Sequence, residues 1–193
     1  MHSSDDAADP AADASADPAA DASADRVADA SVDWAGEAFS AVARLTIDYA
    51  RGIDDRDWVL FRSVFADACA VDFSSWSGAP AATMASDLWV QAVRSITGAF
   101  DATQHLMTNL ALRATGEPGE VIGVNEVQAQ HWFDAPTMAG FDRPAEPACC
   151  TLGGTFTNRY IRTHEGWRIA ACRFTLRWRM GDETLFALAR QRR

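Results

Sequence analysis

EVIGVNEVQAQHWFD, residues 120–134, decides the fold. Read with a period of two, it sets Val121, Val127, Ala129, His131 and Phe133 on one face and Glu126, Gln128, Gln130 and Asp134 on the other. That is the alternation of a half-buried strand, and it turns His131 inward among apolar neighbours. An imidazole there can exchange protons near neutral pH, or it can be a core histidine with a satisfied hydrogen bond.

The stretches on either side read the same way. Gln104 to Arg113 alternates with His105, Met107 and Asn109 on one face and Leu106, Thr108 and Leu110 on the other. GEPGE turns that strand into the one above, and HEG joins two more, Cys150 to Thr163 and Trp167 to Trp178. Ala135 to Pro147, rich in Pro and small residues, reads as a loop that selects substrates because it follows His131 directly.

Upstream the period changes to that of helices. Phe39, Val42, Leu45 and Tyr49 form one stripe, with Gly52 as the expected C-cap. Asp54 or Asp55 then caps a second helix with a stripe of Trp58, Phe61 and Phe65. CAVDFSSW, Cys69 to Trp76, reads as a short strand, and a Gly/Pro/Ala loop follows. A third helix starts at Ser86 or Asp87 and runs through Leu88, Ala92, Val93 and Ile96. Trp89 and Trp178 are expected in the core, while Met180, Leu185 and Phe186 form either a flap or an amphipathic tail. Three N-terminal helices on a curved, mostly antiparallel sheet make an α+β fold with a cavity between the layers.

Composition narrows the partners. The formal charge is −10, yet residues 1–33 hold nine Asp against one Arg and so carry −8, leaving −2 for the body. A nearly neutral body has no electrostatic footprint for nucleic acid. In the tail, DPAADASA recurs with a period of eight and Asp recurs at every fourth position from Asp9 to Asp33. A helix would stack those charges and meet Pro10 and Pro18, so residues 1–33 are expected to be disordered and residues 34–193 to form a single domain. The four cysteines fall in no CxxC or zinc spacing and read as reduced thiols. With no apolar run long enough for a bilayer and an acidic N-terminus, the expected location is the cytoplasm, with no membrane partner.

An aspartate at a helix turn facing two inward histidines has the parts of a general acid/base site. The pieces DDRDW at Asp54, VDFSSW at Val71, TQHLMTN at Thr103, EVIG with QAQHWF from Glu120, and GWRIAACRFTLRW at Gly166 together resemble the scytalone dehydratase and SnoaL-like members of the nuclear-transport-factor-like superfamily. That superfamily of cone-shaped α+β barrels also holds polyketide cyclases and ketosteroid isomerases. The resemblance implies catalytic roles for Asp54, His105 and His131, with Asp54 orienting His131, and a substrate-contacting role for Asn158. The two tyrosines that hold a water on the substrate carbonyl in the family are replaced by Ile53 and Phe73, so Tyr49 is the expected carbonyl-polarising hydroxyl. Phe73, Trp58, Met107 and Phe133 are the expected apolar substrate contacts.

The implied activity is cofactor-independent, metal-free dehydration of a β-hydroxy ketone or polyketide-like ring, in a homo-oligomer, dimer or trimer. Cyclisation or isomerisation by the same groups, a metal facial triad, and a non-catalytic binding module or oxygenase subunit are the competing readings.

Overall fold

The computed structural model describes residues 18–192, with side chains from Gly36 onward. Residues up to Gly36 cluster as one unit and Glu37–Arg193 as another. The backbone of helix α1 runs Pro18–Asp54, so residues 18–33, expected to be disordered, are helical, while residues 1–17 of the tail lie outside the described residues. Pro18 sits at the first helical position, where its missing N–H costs nothing and its fixed φ is already helical.

In the second unit, α1 buries Ala38, Val42, Leu45, Tyr49 and Ile53, and Phe39 falls outside the stripe, on the exposed side. Gly52 is not a C-cap: the helix continues past it to Asp54. Its role is close approach, because a Cβ at Gly52 would lie 2.7 Å from backbone atoms of Phe61 in α2 (Trp58–Ser63). Asp57, not Asp54 or Asp55, caps α2, accepting the Leu60 N–H at 2.9 Å. Strand β1 (Phe65–Asp72) takes Phe65 out of the expected helical stripe, and FSSW leaves the expected strand to form the single turn α3 (Ser74–Ser77). The supposed Ala-rich loop contains a short strand β2 (Ala82–Ala85) before α4 (Ser86–Thr97). Helix α4 buries Ser86, Val90, Val93 and Thr97 and leaves Leu88 exposed.

The remaining elements are β3 (Ala102–Ala114), β4 (Glu120–Phe133), α5 (Ala135–Gly140), β5 (Ala148–Thr163), β6 (Gly166–Gly181) and α6 (Leu185–Gln191). Among the described residues, six strands form one sheet in the order β2-β1-β6-β5-β4-β3, parallel only where β1 meets β6. The sheet is mixed and curls without closing, as an α+β cone requires. In β4 the alternation holds from Val121 to Phe133, with every odd residue buried. Asp134 lies beyond the strand and caps α5 through the Thr137 N–H.

In β3 the alternation breaks at Asn109, whose φ of 56° puts it in the left-handed region. Asn109 and Leu110 together oppose Asn125, a bulge that turns Asn109 outward and brings Leu110 and Leu112 to the half-buried face. On the outer face, the Trp178 indole lies against Gly153 and is 45% exposed, so this tryptophan is not core. Among the described residues no helix is long and apolar enough to cross a membrane.

Candidate active site

Asp54 is the last residue of α1, where the negative end of the helix dipole disfavours another anion. Donors offset this. Oδ1 accepts from Thr103 Oγ1 at 2.9 Å and from His105 Nδ1 at 2.7 Å, and Oδ2 accepts the His105 backbone N–H at 2.7 Å. That N–H is available because β3 is an edge strand, with one row of backbone groups unpaired in the sheet. Burial pushes the Asp54 carboxyl up, and the bonds from His105 and Thr103 outweigh it, holding the group below the ordinary carboxylate range.

Arg56 closes the back of this arrangement. Its backbone is left-handed, φ 60°, which reverses the chain after α1 and returns the side chain to the helix end. Its guanidinium donates to the Ile53 carbonyl at 2.7 Å, to Thr103 Oγ1 at 2.8 Å and to the Phe100 carbonyl at 3.0 Å. Burial lowers the Arg56 pKa and the Asp54 charge opposes that shift. Thr103 thus accepts from Arg56 and donates to Asp54, one hydroxyl joining cation to carboxylate. Neither Arg56 nor Thr103 stood out in the sequence, although the signals existed: Arg56 lies inside DDRDW, and Thr103 precedes His105 by two, on the same strand face.

His131 pairs in register with Thr103 on the neighbouring strand, so it lies diagonal to His105 on the same face. The two rings are 5.9 Å apart and nearly perpendicular. Asp54 orients His105, however, and not His131 as the resemblance implied. His131 is 3% exposed, wedged against Phe186 at 4.6 Å and Phe100 at 5.1 Å, with Nδ1 3.4 Å from the Cys150 carbonyl. Burial first, and then the neighbouring His105, push its pKa down to about 3. It is a neutral imidazole through the physiological range.

The two histidines face a cavity of about 290 Å³, close to the lower end of small-molecule sites, which start at roughly 300 Å³. Phe73, Trp76, Trp89, Phe156, Phe174 and Phe186 give it an aromatic, apolar wall. Phe186 reaches the cavity from the start of α6, while Met180 points out, 65% exposed.

Several expected contacts are elsewhere. Trp58 faces a neighbouring cleft under Arg94, Met107 meets the Asn125 amide at 3.9 Å, and Phe133 stacks on Phe100 at 4.7 Å. Asn158 is buried and donates to the Tyr160 hydroxyl at 3.2 Å, and residues 135–147 do not line the cavity. The Tyr49 ring lines the cavity, edge-on to Phe156, but its hydroxyl interacts with the Cys172 thiol. Burial, reinforced by Cys172 and Cys69, raises its pKa well above the usual tyrosine value. All four cysteines are free. Among the described residues no three His, Cys, Asp or Glu side chains are grouped to hold a metal ion.

A family model described as a SnoaL-like domain matches residues 35–173. No curated protein matches the chain. Among solved structures, the Kfla4162 protein from Kribbella flavida is 27% identical with a TM-score of 0.66, over 78% of this chain and 95% of that one. A proposed scytalone dehydratase from Novosphingobium aromaticivorans is 17% identical with a TM-score of 0.63, over 79% and 92%. A hexachlorocyclohexane dehydrochlorinase, LinA type 2, is 16% identical with a TM-score of 0.60, over 75% and 88%. The last two likenesses speak to the fold alone.

Proposed function

The chain belongs to the SnoaL-like domain family of the nuclear-transport-factor-like superfamily, and from that premise we propose that it is a cofactor-independent hydro-lyase acting on a β-hydroxy ketone of one or two rings. The observation that carries this is the His105–Asp54 pair, 2.7 Å apart, with His105 in the wall of an apolar cavity and Asp54 behind it. Two of its structural relatives are named for eliminations, a dehydratase and a dehydrochlorinase.

With Nδ1–H held by Asp54, His105 presents Nε2 as a lone pair and no described side chain hydrogen-bonds to it. Nε2 takes the proton from the carbon beside the ketone. The electron pair left behind forms the carbon–carbon double bond as the C–O bond at the β-carbon breaks. The imidazolium, stabilised by Asp54, returns the same proton to the departing hydroxide, and water leaves. One histidine therefore serves as base and then as acid, which removes any need for His131 to titrate. His131, neutral because it is buried, offers hydrogen bonding to the ring substituents. The aromatic wall keeps bulk water away, so the charge on His105 and Asp54 is felt more strongly than in water.

The test follows a β-hydroxy tetralone by absorbance with chelator-treated wild type, His105→Ala and Asp54→Asn. Metal-independent dehydration that falls by about 10²- to 10⁴-fold in His105→Ala supports the reading. Binding without turnover in wild type, or undiminished turnover in His105→Ala, overturns it.

A further inference from the structure

The cavity adjoins a second cleft, and the two share Ala92, Ile96 and Arg190. Arg56, Arg94, Arg190 and Arg192 line that cleft, and among the described residues no acidic side chain lines it. Two of the four are committed. Arg56 backs Asp54 through Thr103, and Arg192 pairs with Asp101 at 2.6 Å. Arg94 lies 6.0 Å over the Trp58 ring, and Arg190 has no hydrogen-bond or ion-pair partner among the described residues.

Helix termini account for part of this charge, since Arg94 and Arg190 sit in the last turns of α4 and α6. Each helix end carries about half a negative charge, so the two ends together balance one of these two cations and leave the other. Arg190 is the one that also reaches the cavity, whose other polar lining groups are the two histidines, the hydroxyl residues Tyr49, Ser77 and Thr97, and the indoles of Trp76 and Trp89, none of them charged like a guanidinium.

We propose that Arg190 is a specificity residue and that the natural substrate carries a carboxylate, its apolar body lying in the cavity against His105 and its carboxylate at the cavity mouth on the Arg190 guanidinium. This rests on the reading of the cavity as a substrate site given above. The planar fork of arginine matches a carboxylate with two parallel N–H donors, and its alkyl stem can lie along the apolar rim while the head stays at the opening. Arg94, held over Trp58 in the adjoining cleft, adds a second positive field on the same side without entering the cavity.

The experiment is titration calorimetry of the full chain with 2-naphthoate and with 2-acetylnaphthalene, a neutral ligand of the same size, for wild type and Arg190→Gln. Wild type binds the carboxylate about five- to tenfold more tightly at low salt, and the preference shrinks as salt rises, as expected of a partly exposed ion pair. Arg190→Gln loses the preference and keeps its affinity for 2-acetylnaphthalene, which also shows that the variant is folded. Equal affinities in wild type, or a preference that survives in Arg190→Gln, overturn the carboxylate subsite and leave the cavity reading intact. If neither compound binds wild type, the cavity reading falls and the subsite with it.

Discussion

Asp54 grips His105 twice, through the ring Nδ1 and through the backbone N–H, each at 2.7 Å. A carboxylate accepts both bonds at once, whereas an amide offers one oxygen and a competing NH2. Asp54→Asn should therefore free the imidazole to take the other tautomer, with little loss of fold. Turnover of the tetralone should drop by about 10²- to 10³-fold with KM nearly unchanged. A variant that keeps kcat and loses only KM would show that Asp54 serves binding and not proton transfer.

Thr103 stands between Arg56 and that carboxylate, accepting from one at 2.8 Å and donating to the other at 2.9 Å. Thr103→Val keeps shape and removes both bonds. With one donor fewer on the carboxylate, Asp54 should rise toward the ordinary carboxylate pKa. The acid limb of the kcat profile should move to higher pH, with kcat at neutral pH down about tenfold. Thr103→Ser, which restores the hydroxyl, should recover most of both. A profile that stays in place in Thr103→Val would mean that the hydroxyl only fills space.

The alternation in residues 120–134 was enough to place His131 and the sheet, because a strand with one buried face tolerates no slip of register. The three N-terminal helices were legible from their period, although Phe39 and Leu88 lie off the buried faces and Phe65 belongs to β1. What could not be read was which histidine Asp54 meets. That depends on β3 being an edge strand with a free N–H at His105, a property of strand order and not of local sequence. Met107 and Phe133 show a further limit. Both share the inner face with the histidines, but Met107 is taken up by the Asn125 amide and Phe133 by the Phe100 ring, so facing inward does not by itself mean facing the substrate.

His131 makes stability depend on pH. Its folded pKa is depressed to about 3 by burial, while the unfolded chain titrates near the ordinary 6.5. Between those values the unfolded state binds the extra proton, so stability is full above about pH 6.5 and falls as pH is lowered. The loss attributable to this residue is about 2 to 3 kcal/mol between pH 6.5 and 4.5. Urea midpoints measured across that window should fall steeply for wild type and less steeply for His131→Asn, which cannot titrate and keeps a donor toward the Cys150 carbonyl. Parallel curves would mean that His131 is protonated in the folded protein.

Gly52 and Gly36 lie in the same helix and should respond to alanine with opposite signs. Alanine in a helix interior is favoured over glycine by about 1 kcal/mol, and at Gly36 nothing among the described residues lies within 4 Å of a new Cβ. Gly36→Ala should therefore stabilise the chain slightly. At Gly52 the same Cβ would lie 2.7 Å from the Phe61 N and Cα atoms, which no rotamer change can move. Relief requires α1 and α2 to separate, and overpacking of this kind costs about 1 to 3 kcal/mol, enough to overcome the propensity gain. Gly52→Ala should lower Tm by about 2 to 6 °C. Because Asp54 follows two residues later, the same displacement should loosen its hold on His105, so kcat of the folded fraction should fall as well. A Gly52→Ala protein as stable and active as wild type would show that the helix crossing is not held as tightly as the Phe61 contact requires.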